Sequence, residues 1–96
     1  MREERPWGWY ETIEDGSDYR LKKIHLDPGQ RFSLQFHRSR SEHWVVIHGD
    51  GIVTLGHDEI PCKPGSSFTI GIEQRHRAQA GDDGLTFIEV QRGQCS

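Results

Sequence analysis

Apolar and polar residues alternate in short runs along most of this chain, and the runs recur every 8–12 residues or so, a rhythm typical of small β domains. The pattern predicts strands over Tyr19–Leu26, Arg31–His37, His43–His48, Ile52–Leu55, Ser67–Ile70, His76–Ala80 and Leu85–Val90. Turn-forming clusters separate them: Asp27-Pro28-Gly29, Gly49-Asp50-Gly51, Gly56-His57-Asp58-Glu59, Lys63-Pro64-Gly65 and Gly81-Asp82-Asp83-Gly84. Helical periodicity is nearly absent, and 11 Gly and 4 Pro punctuate the runs. The prediction is an all-β sandwich or barrel forming one domain over residues 1–96. Within Arg31–His37, side chains alternate between faces, so Ser33, Gln35 and His37 share one face and Phe32, Leu34 and Phe36 the other. The first 18 residues differ in kind, because Trp7, Trp9 and Tyr10 are too many large aromatics for a loose tail. They predict a cover segment packed across the sheet or against a second subunit, rather than a ligand-stacking platform.

Composition narrows the picture. Only 32% of the 96 residues are hydrophobic and the mean hydropathy is -0.79, so the core is small. A domain of this size gains from burial between subunits. A homodimer is therefore expected, burying the aromatic N-terminus and an apolar face such as Phe32, Leu34 and Phe36. A net charge of -3 and a pI near 6.0 argue against nucleic acid or an anionic membrane as the main partner. No apolar run approaches the ~18 residues of a membrane span. The N-terminal MREERPWGWY lacks the apolar centre of a signal peptide, and a cytoplasmic location is expected. Cys62 and Cys95 have neither C-x-x-C spacing nor a disulfide framework and are expected to stay reduced.

The candidate chemistry sits between Gly29 and Gly49. Gln35 and His37 stand at i and i+2 of one predicted strand, with Cα atoms roughly 6.5–7 Å apart. Their side chains can converge on one ion at about 2.0–2.2 Å. The spacing Gly29-x5-Gln35-x-His37-x4-Glu42-x6-Gly49 resembles the first cupin motif, G-x5-H-x-H-x4-E-x6-G, with glutamine in the first histidine position. Gly65-x5-Gly71-x-Glu73-x2-His76-x3-Ala80 is similar to the second motif, G-x5-P-x-G-x2-H-x3-N, and keeps its first glycine and its histidine. The resemblance implies a double-stranded β-barrel, or jelly roll, in which His76 joins Gln35, His37 and Glu42 around one divalent metal ion. That mixed nitrogen and oxygen set suits Zn, Mn, Fe, Co or Ni and does not choose among them. His25, His43, His48 and His57 are expected in surface or packing roles.

Arg5-Pro6-Trp7-Gly8, Ser33-Leu34-Gln35-x-His37, Ser41-Glu42-His43-Trp44 and Ile88-Glu89-Val90-Gln91-x-Gly93 resemble the cupin domain of type II mannose-6-phosphate isomerases. This is the domain found at the C-terminus of bifunctional guanylyltransferase/isomerase enzymes, and in it glutamine is the expected ligand at position 35. The resemblance implies interconversion of mannose 6-phosphate and fructose 6-phosphate. Such chemistry needs a metal to polarise substrate oxygens, a base to move a proton, and cations for phosphate. Lys22, on the face of Ile24 and Leu26, is the candidate base or phosphate partner. Glu73 and Arg77, flanking His76, are candidate substrate contacts. No guanylyltransferase domain lies in these residues, and the family's acidic, arginine-containing tail beyond V-Q-x-G is replaced by Gln94-Cys95-Ser96. The alternatives are a non-catalytic metal-containing cupin that binds a sugar, sugar phosphate or small acid, and a cupin oxygenase using a two-histidine, one-carboxylate triad.

Overall fold

The strand pairing of this chain is antiparallel throughout and is organised around its two longest strands. The computed structural model describes residues 1–94. It contains β1 (Arg2–Arg5), β2 (Gly8–Asp15), β3 (Tyr19–Leu26), β4 (Arg40–Leu55), β5 (Asp58–Cys62), β6 (Ser67–Ile70) and β7 (His76–Gly93), and no helix among the described residues. The sheet order is β1-β2-β3-β7-β4-β5, with β6 paired to β4.

Two predicted turns are instead bends within continuous strands. The segments expected as His43–His48 and Ile52–Leu55 are both part of β4, and His76–Ala80 and Leu85–Val90 are both part of β7. The β4–β7 ladder pairs Gly49 with Leu85 and then Gly51 with Ala80, so Gly81 to Gly84 bulge out opposite Asp50. One layer is formed by β1, β2, β3, the C-terminal half of β7, the N-terminal half of β4, and β6. The other holds the remaining halves of β4 and β7, together with β5. Bulges bend and twist a strand pair, and here they fold one ladder into both walls of a barrel. The core between the walls includes Trp44, Phe87, Leu26, Val53, Ile70 and Leu85.

The expected strand Arg31–His37 is not a regular strand. It touches β7 through two isolated bridges, Arg31 to Gln79 and Gln35 to His76. The chain advances four residues on one side and three on the other between these bridges. The extra residue breaks the alternation. Phe32 consequently turns into the core, while Leu34 and Phe36 stay 43% and 42% exposed. The three do not form one apolar face. The N-terminal segment expected as a cover is a hairpin, β1–β2, that extends the sheet edge. Trp7 packs edge-on to Phe32 with centroids 5.8 Å apart, whereas Trp9 lies on the outer surface, stacked on His25 at 5.4 Å. Cys62 is a buried free thiol whose pKa burial pushes up, and Cys95 lies outside the described residues.

The bend leaves no room for a side chain. A Cβ on Gly51 would collide with the Gln79 carbonyl oxygen, and one on Gly49 with that of Gly84. At Gly56, in the β4–β5 turn, nothing lies within 4 Å, although φ is +61°. Gly56→Ala therefore carries only left-handed backbone strain of about 1–2 kcal/mol. Gly51→Ala is expected to cost more than about 3 kcal/mol in urea unfolding, because backbone on the partner strand must move. Equal losses in the two variants would contradict this account of the bend.

Candidate metal centre and adjoining cavity

Alternation on β4 puts Arg40, Glu42 and Trp44 on the inner face, and the ladder sets Glu42 opposite Gln91 and Trp44 opposite Glu89. The other wall contributes His76, and the bridged segment contributes Gln35 and His37. Gln35 and His76 exchange both backbone hydrogen bonds, at 2.9 and 2.8 Å. His37, Glu42 and His76 place one ligating atom each within 4.8 Å of one another. His37 Nε2 lies 3.3 Å from Glu42 Oε2, and His76 Nε2 lies 3.7 Å from Glu42 Oε1. Both spans are inside the roughly 4.2 Å that two metal–ligand bonds of about 2.1 Å can bridge.

Hydrogen bonding prepares both imidazoles to ligate. His76 Nδ1 lies 2.9 Å from the Gln74 carbonyl oxygen, which can only accept, so Nδ1 carries the hydrogen and Nε2 the lone pair. That Nε2 is buried without a hydrogen-bond partner. A buried acceptor left unpaired costs about 1–3 kcal/mol, and an ion shared with Glu42 and His37 would satisfy it. On this observation the residues fit a divalent metal. An Arg40 guanidinium nitrogen donates to His37 Nε2 at 2.8 Å, so this nitrogen also carries a lone pair, which an ion would take over from Arg40. Burial, and then the Arg40 charge, lower the His37 pKa and favour the neutral, ligating form.

The carboxylates are matched unequally. Glu42 is 1% exposed and receives Arg40 Nε at 3.1 Å and Trp44 Nε1 at 3.0 Å. Burial pushes its pKa up. The hydrogen bond from Glu89, the Arg40 charge and the Trp44 indole outweigh that and hold it below the usual carboxylate value. Glu89 is pushed up to about 8, by burial first and then by the Glu42 charge and their shared hydrogen bond. The pair therefore carries one negative charge at neutral pH, with Glu89 as the donor.

A cavity of about 240 Å³ adjoins this cluster, and Gln35, Arg40, Glu89 and Gln91 line it. Trp7, Phe32 and Trp44 give it an aromatic wall, and Arg5, Tyr10 and Lys22 complete the β1–β3 side. Lys22 Nζ sits 4.4 Å from the Tyr10 ring centroid. Burial lowers its pKa.

The structure thus brings Gln35, His37, Glu42, His76 and Lys22 to one region, but not Glu73 or Arg77. Glu73 is exposed in a turn at φ +64°, and its N–H donates to the His37 carbonyl at 2.7 Å. Arg77 pairs with Thr54 between the inward-facing His76 and Ala78, and alternation turns it to the outer surface. His25 bonds Thr86 on the outside, His43 bonds Thr69, and His48 and His57 are exposed. Sequence reading missed Arg5, Tyr10, Arg40, Trp44, Glu89 and Gln91 as cavity residues. The available signal was alternation: Phe87, Glu89 and Gln91 share one face of β7.

Comparison with known proteins adds three observations. The family described as "Mannose-6-phosphate isomerase C-terminal" matches residues 1–95. The chain is 50% identical over 90 residues to mannose-1-phosphate guanylyltransferase 2 of Escherichia coli O157:H7. It is 39% identical over 90 residues to the xanthan biosynthesis protein XanB of Xanthomonas campestris. Each match covers 93% of this chain and 19% of the relative, so the chain spans about a fifth of their length. In fold it is similar to KdgF from Halomonas sp., with a TM-score of 0.91, 17% identity and coverage of 98% of this chain and 86% of that one. An RmlC-like cupin from Shewanella frigidimarina gives 0.91 at 20% identity, covering 100% and 86%. The fold is the cupin barrel.

The buried acid pair sets a pH dependence. Between the ordinary glutamate value of 4.5 and about 8, the folded protein holds a proton on Glu89 that the unfolded chain releases. Its contribution to stability therefore falls as pH rises through that window, by at most about 1.4 kcal/mol per pH unit. Glu89→Gln is expected to flatten the slope from pH 6 to 8 in chelator-treated protein and to raise the melting temperature at pH 8. Parallel melting curves for variant and parent would refute the assignment.

Proposed function

This chain belongs to the mannose-6-phosphate isomerase C-terminal family, and from that premise we propose that it interconverts mannose 6-phosphate and fructose 6-phosphate. The supporting observation is the His37–Glu42–His76 cluster, with its unpartnered His76 Nε2, beside a cavity lined by Arg5, Lys22 and Arg40. The cluster and the cations are joined by Arg40, which bonds Glu42 and lines the cavity. His37, Glu42 and His76 would hold the divalent ion, with Gln35 beside them on the cavity wall. When bound, such an ion acts as a Lewis acid on the carbonyl and hydroxyl oxygens of the sugar.

The isomerisation removes a proton from C2 of the aldose and delivers one to C1, while the O2 hydroxyl becomes a carbonyl and O1 gains a hydrogen. No oxidant or reductant is required. Lys22 carries the proton in this reading: its amine lines the cavity, and burial increases the neutral fraction that can accept it. Trp44 and Arg40 orient Glu42, and the aromatic wall excludes water from the reacting carbons.

Metal-loaded protein is expected to exchange the C2 hydrogen of mannose 6-phosphate with solvent deuterium, read by NMR. His37→Ala and His76→Ala should lose both bound metal and exchange, and Lys22→Met should lose exchange while keeping metal. His57→Ala should change neither. Metal retained in full by both cluster variants would defeat the metal assignment, and absence of exchange in the parent protein would defeat the isomerase reading. We further propose a homodimer, supported by exposed apolar residues on the outer sheet face such as Val45, beside Ile88 in the ladder. Light scattering at high micromolar concentration should give twice the mass of the chain, and a monomer there would reject it.

A further inference from the structure

Three cations line the cavity, and two of them stand beside its buried carboxylates. Arg40 is held by the buried Glu42 carboxylate. Lys22 lies over Tyr10 and two strand positions from Glu42, beside Glu89 in the ladder. Arg5 is different. It stands at the end of β1, on the sheet edge, and reaches the cavity from the rim. One terminal nitrogen donates to the Glu4 carbonyl at 2.8 Å, and the other donates to the Tyr10 hydroxyl at 3.1 Å. The guanidinium carbon lies 5.0 Å from the Tyr10 ring centroid. These contacts hold the planar group in place and leave further donors uncommitted. Its carboxylate neighbour, Glu3 at 3.5 Å, is an exposed pair, which contributes little and is readily exchanged for a stronger anion.

The opposite side of the same cavity carries an unfilled acceptor. Gln91 is 1% exposed, its Nε2 donates to Glu89, and its Oε1 has no partner. A buried, unpartnered amide oxygen on a residue that lines a cavity calls for a hydroxyl or a water. In strand order Arg5 and Gln91 are three spacings apart, about 14 Å across the sheet before both long side chains reach inward. The aromatic wall of Trp7, Phe32 and Trp44 completes the enclosure, a surface suited to the C–H face of a sugar.

Resting on the isomerase reading, we infer that Arg5 is the phosphate anchor of the site and that Gln91 Oε1 accepts a hydrogen bond from a hydroxyl of the same ligand. The cavity then recognises a polyol monoester with its phosphate toward the β1–β2 edge and its hydroxyls toward β7. A permanently charged anchor separate from Lys22 leaves that amine free to gain and lose a proton during turnover.

Calorimetric titration of the metal-loaded chain with mannose 6-phosphate, mannose and inorganic phosphate tests this. Arg5→Gln should weaken mannose 6-phosphate and inorganic phosphate by about tenfold or more and leave mannose unchanged, with Arg5→Lys restoring part of the loss. Gln91→Leu should weaken mannose 6-phosphate and mannose and spare inorganic phosphate. If that core variant does not fold, Gln91→Met gives the same readout. Mannose 6-phosphate bound equally by the parent and Arg5→Gln proteins would overturn the anchor while leaving the isomerase reading intact. Inorganic phosphate held through Arg5, without any binding of the sugar phosphate, would uphold the anchor and remove that reading. Arg5→Gln weakening all three ligands alike would mark it as structural and overturn the proposal.

Discussion

Everything at the centre of this molecule depends on one antiparallel ladder, β4 against β7, and on the change of register halfway along it. A flat ladder of this length would put Glu42 and His76 far apart on one sheet. Because four residues of β7 bulge opposite Asp50, the pair bends back over itself, and the two ends of each strand become opposite walls. The ligating side chains meet across the lumen because the backbone is folded there. The cost is two positions, Gly49 and Gly51, where the strands approach too closely for any side chain.

Given that fold, the electrostatics follow from burial. A carboxylate as enclosed as Glu42 is stable only with compensation, and three groups provide it: the Arg40 guanidinium, the Trp44 indole and the Glu89 acid. Compensation at Glu42 is what displaces Glu89, since two carboxylates in one low-dielectric pocket do not both ionise. The same enclosure lowers the pKa values of His37 and Lys22. Burial thereby sets the direction at both groups, and the Glu42 charge opposes it.

Much of this was readable from residues alone. Strand-period alternation locates β3, β6 and the segments His43–His48, Ile52–Leu55, His76–Ala80 and Leu85–Val90 of β4 and β7, and the motif spacing of Gln35, His37 and Glu42 marks those residues as a set. Alternation failed wherever backbone pairing changes register. Between Arg31 and Gln35 a single extra residue sent Phe32 inward and left Leu34 and Phe36 outside. Arg77 was misjudged for a related reason, because nearness in sequence to His76 means the opposite face in a strand. Glu89 and Gln91 were legible as a motif but not as cavity residues, since their importance comes from facing Glu42 and Trp44 across the ladder. Arg5 and Tyr10 became visible only once the N-terminal segment proved to be an edge hairpin.

That hairpin is both a wall of the cavity and the outermost pair of the sheet. Edge strands are held by one neighbour and open more readily than central ones. Cavity ligands that contact Arg5 or Tyr10 are therefore in thermodynamic linkage with fraying of β1 and β2. Any molecule bound only to the closed form shifts that local equilibrium by mass action, so amide protection in the first fifteen residues would report occupancy of a pocket whose deepest groups lie on other strands.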